Sequence, residues 1–106
     1  MNIIVWFAFV TAALLEVSGD AVIRRGLRGN KLALILAGCA TLAGYGLLVN
    51  SVRWDFSKLL GVYVGFFALV SVLFGRLVFH ERIPAPTWLG LTLIMAGCLV
   101  IQFGQQ

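Results

Sequence analysis

Four apolar runs, each near the length of a membrane crossing, divide the chain, and most of its charged positions fall between them. The runs cover about Ile3–Ile23, Lys31–Val49, Leu59–Phe79 and Thr87–Phe103. At about 1.5 Å rise per residue, roughly 20 residues of helix span the hydrocarbon of a bilayer, so each run predicts one transmembrane helix. The breaks between them carry helix-ending chemistry. Arg24-Arg25-Gly26-Leu27-Arg28-Gly29-Asn30 combines two glycines, an asparagine and three cations and predicts the first loop. Asn50 to Lys58 predicts the second loop, and His80 to Pro86, whose prolines Pro84 and Pro86 forbid a continuous helix, the third. Connections this short make successive helices antiparallel neighbours. The expectation is an all-α membrane protein, a single four-helix transmembrane domain over residues 1–106 with both ends of the chain on the same side.

Composition supports this pattern. The chain is 61% hydrophobic and only 11% charged, against about 45–50% and about 25% in soluble domains, which argues against a water-soluble core. Four crossings use nearly all of the 106 residues and leave no room for a soluble catalytic domain. Met1-Asn2 lacks the basic residues of a signal peptide, and the apolar run after it is too long for a signal's hydrophobic region, so it is expected to stay as an anchor. Cys39 and Cys98 each follow a glycine in an apolar run. They offer neither metal-ligand spacing nor a disulfide framework and read as small packing residues.

The net charge of +4 is concentrated in Arg24, Arg25, Arg28 and Lys31. Beside a membrane span, such a cluster points to orientation and anionic headgroups rather than to nucleic acid. The first and third loops carry five basic residues, counting Lys31 and Arg82, against two, Arg53 and Lys58, in the second. That bias favours the first and third loops in the cytoplasm and both termini outside. Trp54 and Trp88 suit the headgroup belt.

Within the first run stands a carboxylate, Glu16. A charged acid in hydrocarbon costs roughly 2.5 kcal/mol or more and is by default a functional-site hypothesis. Asp20 lies four residues on, on the same helix face about 6 Å along the axis. Two charges at that spacing repel by roughly 3 kcal/mol at an effective dielectric of about 20, so Glu16 is expected to exchange a proton near neutral pH. The competing reading pairs Asp20 with Arg24, another four residues on, as a helix-end ion pair. Trp6, Phe9, Tyr45, Tyr63 and Phe67 are candidates for cation–π contact with a cationic guest. Arg76, near the end of the third run, is expected to snorkel to the headgroups, and His80 to sit in an interfacial loop. The chain offers no Ser/His/Asp or Cys/His constellation, no metal-ligand cluster and no phosphate loop, so neither an enzyme, a metal nor a cofactor is expected.

Small residues mark possible helix contacts. The third run offers Gly61-x-x-x-Gly65 and Ser71-x-x-x-Gly75, where packing within the chain and a dimer contact are equally good readings. The fourth offers Gly90 and Gly97 on one stripe, where a dimer contact is favoured. Four helices enclose little volume, so a solute pathway is expected to need a second copy.

Over nearly its whole length the chain resembles the small multidrug resistance family of four-helix bacterial exporters, within the wider drug/metabolite transporter group. The likeness rests on Leu15-Glu16-Val17-Ser18-Gly19, Gly61-Val62-Tyr63-Val64-Gly65, Phe79-His80-Glu81-Arg82 and Gly90-Leu91-x-x-Ile94-x-Ala96-Gly97. The resemblance implies an antiparallel dimer, an eight-helix transporter that exchanges protons for a cationic substrate by alternating access around the first-helix glutamate. Carried onto this chain, it makes Glu16 the shared acid, Tyr63 the chamber aromatic in place of a usual tryptophan, Gly65 a flexible point, and Gly90, Ile94 and Gly97 the dimer contact. The candidate proton and substrate site is then Glu16 with Ser18, Gly19, Asp20, Tyr45 and Tyr63. Departures are Leu60 for a usual aromatic, Phe67 for a second glycine, Asp20 for a small polar residue, and the added cation Arg76. Gly61-Val62-Tyr63 is also similar to a divergent branch of that family whose substrates are poorly defined.

The expected function is proton-coupled export of small organic cations, such as quaternary ammonium, guanidinium-like or polyamine compounds, across the bacterial inner membrane. The partners would be that cation, protons, the lipid bilayer and a second subunit, with no nucleic acid. Two alternatives stand beside it: one subunit of a heterodimer with an oppositely inserted homologue, and a lipid-carrier flippase or accessory membrane protein. Related chains of the latter kind generally lack the first-helix acid, so Glu16 counts against it.

Overall fold

The computed structural model describes residues 3–104, so Met1-Asn2 and the Gln105-Gln106 tail lie outside the described residues. It contains four α-helices: α1 (Ile3–Gly29), α2 (Leu32–Val49), α3 (Phe56–Leu77) and α4 (Ala85–Gly104). All four are long and apolar enough to cross a membrane. Large apolar side chains cover their outer faces, with Leu47 at 75% and Val100 at 70% exposure, as a lipid-facing surface requires. Contacts divide the chain into two compact units with the boundary between Arg53 and Trp54, α1 with α2 in one and α3 with α4 in the other.

The first loop is shorter than the sequence pattern predicts. Arg24 to Gly29 continue α1, which reaches 27 residues, about 40 Å, and leaves only Asn30 and Lys31 before α2. Arg24, Arg25 and Arg28 therefore ride on helical turns beyond the roughly 30 Å of hydrocarbon. The physical reason is Gly26. It acts as a contact and not as a breaker: a Cβ there would stand 2.8 Å from Ile35 Cγ1 and 2.9 Å from the Ile35 backbone nitrogen. The helix ends at Asn30, whose φ of 53° is left-handed, while Lys31 N–H donates to Gly26 O at 2.9 Å. This is the six-to-one closure that satisfies an orphan helix-end carbonyl.

α1 and α2 run antiparallel with backbones in near contact. A Cβ on Gly19 would lie 2.9 Å from Leu42 Cγ and 3.0 Å from Gly38 O, and one on Gly38 would fall on Ile23 Cγ1 and 2.8 Å from Gly19 O. Close approach through small residues is how helices gain van der Waals contact in lipid, where no hydrophobic difference drives them together.

In the second unit α3 and α4 are also antiparallel. The Cys98 thiol donates to Gly61 O at 3.3 Å, Gly61 accommodates Ile101, and a Cβ on Gly65 would stand 2.6 Å from Cys98 Sγ. The glycines of the third run thus serve packing within the chain. Cys98 is a buried packing residue as expected, whereas Cys39 is exposed. Cys39 sits one position past the contact residue Gly38, which turns it about 100° around α2. α3 starts at Phe56 and α4 at Ala85, with Pro86 in the first turn, where its missing N–H has no helical acceptor to lose.

Candidate functional site

The α1–α2 register brings the candidate polar groups together. Ile23 meets Gly38; seven residues back along α1 and seven on along α2, Glu16 comes opposite Tyr45. Eleven residues from the same pair, Ala12 comes opposite Val49, and both are fully buried. Glu16 and Tyr45 are each half-buried. Ala12 and Ala13, one turn before Glu16, together with Val17 and Gly19, form a tight apolar wall around the acid. Asp20, one turn further on, is exposed at the edge of this cluster. Both carboxylates lie within electrostatic reach of the Tyr45 hydroxyl.

The arrangement provides an acid that can hold a proton or a positive charge, a phenol that can donate or accept a hydrogen bond, and an aromatic face suited to a cation. Apolar surroundings strengthen each of these interactions relative to water. Ser18 is half-buried beside this cluster, and Gly19 lies in the helix contact itself. Asp20 and Arg24 are both exposed, one turn apart on an unbroken helix, so the geometry for their pairing is present.

The second unit carries the remaining candidates on separate faces. Tyr63 is 3% exposed, buried on α3 with Leu59 and Val62. Gly65 is buried against Cys98 and Met95, and α3 continues unbroken through it and through Phe67. On α4, Leu91 and Cys98 are buried, whereas Ile94 is 38% exposed and a Cβ on Gly90 or Gly97 would meet no atom within 4 Å. The Gly90, Ile94 and Gly97 stripe is therefore an open face of α4.

Two features escaped the reading of the sequence. One is the Gly19–Gly38 contact; its signal was the seven-residue spacing of Gly19 and Gly26, two turns on one face. The other is an open cleft where α3 turns into α4, lined by Arg76 and the third loop. Its only signal was a cation just before the loop and another within it.

Comparison with known proteins bears on this architecture. The chain matches the family described as Uncharacterised BCR, YnfA/UPF0060 family, over residues 2–106. A UPF0060 membrane protein of Pseudomonas aeruginosa is 31% identical over 101 residues, 93% of each chain. The UPF0060 membrane protein YfjF of Bacillus subtilis is 30% identical over 105 residues, 97% of this chain and 96% of its own. A UPF0060 membrane protein of Herpetosiphon aurantiacus is 28% identical over 98 residues, 90% of this chain and 89% of its own. No solved structure matches the chain. The family that matches is YnfA/UPF0060, and not the small multidrug resistance family that the motifs resemble. With four membrane-spanning helices and relatives aligned almost end to end, the chain belongs to the YnfA/UPF0060 family of multi-pass membrane proteins.

Proposed function

We propose that this protein exchanges protons for a small organic cation across the bacterial inner membrane, in the manner that the small multidrug resistance resemblance implies. The observation that carries the reading is Glu16, an acid within a membrane span, set opposite Tyr45 in an otherwise apolar wall. A carboxyl in such a place has two ways to be neutralised. It binds a proton, or it binds a cation whose charge is also stabilised by the Tyr45 ring and by Asp20 at the edge. Because one charge excludes the other, arrival of the cation on one side releases the proton, and the return of the proton releases the cation. Exchange of this kind needs no cofactor, no metal and no covalent chemistry.

A chamber wide enough for a cation calls for a second copy, and the open Gly90, Ile94 and Gly97 face of α4 supports a helix-to-helix contact for it. In the antiparallel arrangement the two Glu16 carboxyls serve one site. A second reading, a heterodimer with an oppositely inserted homologue, is favoured by the basic bias of the first and third loops, which favours one orientation of a single chain.

The test uses purified protein in proteoliposomes with a pH indicator inside. A cation gradient is expected to drive proton movement with the native chain and with Glu16→Asp, and to drive none with Glu16→Gln. Undiminished exchange by Glu16→Gln sinks the reading.

A further inference from the structure

The turn between α3 and α4 forms an open cleft of about 330 Å³ lined by Arg76, His80, Glu81, Arg82, Ile83 and Trp88. Its walls are set by backbone geometry. Phe79 N–H donates to Phe74 O at 3.3 Å and Glu81 N–H to Gly75 O at 2.9 Å, so the loop folds back over the last turn of α3. His80 takes a left-handed φ of 56° to make that reversal. The Glu81 carboxylate lies against Gly75, on the very spot that any side chain there would occupy. Glu81 is thus packed onto α3.

Arg76, in the last turn of α3, and Arg82, in the loop, have neither an ion-pair nor a hydrogen-bond partner among the described residues. Counting Glu81, and with His80 neutral, the lining carries a net charge of +1. Trp88, in the first turns of α4, is 44% exposed at the cleft's side. Because the cleft lies where two membrane spans meet their connecting loop, it sits at headgroup depth in whichever leaflet that loop faces. The abundant anion at that depth is phosphate. Two planar guanidinium forks fit its oxygens by paired hydrogen bonds, and an indole is at ease beside it. A volume of about 330 Å³ is near the lower end of small-ligand sites, which suits a headgroup and not an acyl chain.

We propose that this cleft binds a phosphate ester group, held by Arg76 and Arg82 and flanked by Trp88. The group comes either from an anionic phospholipid of the surrounding leaflet or from a soluble phosphate ester, and both present the same oxyanion. Nothing in this assignment depends on Glu16 or on transport.

The experiment is native mass spectrometry of the full chain released from detergent, with phosphatidylglycerol and a phosphate-free neutral lipid, digalactosyldiacylglycerol, supplied together. The native chain is expected to retain phosphatidylglycerol at least about tenfold better, as a few cations near a membrane surface provide. The double variant R76Q/R82Q is expected to fall to parity, while R53Q, in the other loop, keeps the preference. Should R76Q/R82Q lose its helical circular dichroism, R76K/R82K decides. It keeps both charges and loses the forks, so a reduced preference supports the site and an unchanged one overturns it. Glycerol phosphate added at millimolar concentration separates the sources: displacement of the lipid assigns recognition to the phosphate alone, and failure to displace assigns it to the lipid. Absence of any preference in the native chain, or a preference that survives in well-folded R76Q/R82Q, overturns the proposal.

Discussion

Asn30 and His80 hold left-handed backbone, with φ of 53° and 56°, and each reverses the chain at the end of a helix. A side chain other than glycine costs roughly 1–2 kcal/mol in that region, less for asparagine, whose short amide tolerates it. His80→Gly is therefore expected to raise the stability of the helix pair by about 1 kcal/mol, and Asn30→Gly to change it by only a few tenths. Unfolding in mixed micelles followed by circular dichroism measures both, and a loss of stability in His80→Gly counts against this account of the turn. Asp20 poses a different question at the same scale. If it shares the site with Glu16, Asp20→Asn shifts the pH profile of cation-driven proton movement; an unshifted profile leaves Asp20 as the partner of Arg24. Asn30 was legible in the chain as a stop. His80 was not, because histidine's modest enrichment in left-handed backbone does not single out a position, and the fold-back of Glu81 onto Gly75 imposes it here.

Among the elements, the glycines divide by what stands opposite them. Gly19, Gly26 and Gly38 face a neighbouring helix at backbone distance, while Gly90 and Gly97 face open space. Gly38→Leu is expected to cost about 3 kcal/mol or more, since backbone on α1 blocks the new side chain. Gly97→Leu is expected to leave unfolding of the α3–α4 pair unchanged and, under the proposed dimer, to reduce chemical crosslinking between copies. Equal loss of stability in both variants contradicts this division. The same distinction explains why the end of α1 was misplaced by the sequence pattern. A glycine that breaks a helix and a glycine that admits a neighbouring helix are the same letter, and only the position of Ile35 against Gly26 tells them apart. Leaving a helix within or near lipid also exposes backbone groups without partners, which favours continuation.

For the whole molecule, topology is the property on which the transport proposal turns. Five basic residues against two in the alternate loops lead us to expect the orientation with both termini outside to be the more populated one. Paired reporters fused after the C-terminus are expected to show a majority outside and a measurable minority inside. A signal confined to one side removes the self-paired antiparallel dimer and leaves pairing with a homologue.

The number of membrane spans, their apolar character and the presence of two acids, Glu16 and Asp20, within the first were settled by the order of residues alone, because span length and the cost of charge in hydrocarbon depend on local composition and not on neighbours. Tertiary structure alone decided that Glu16 faces Tyr45, that Gly65 packs on Cys98 while Gly97 stands open, and that Arg76 shares a cleft with Arg82. Each of these depends on the register between helices, which is chosen by how closely two backbones approach, and that contact energy belongs to pairs of residues far apart in the chain.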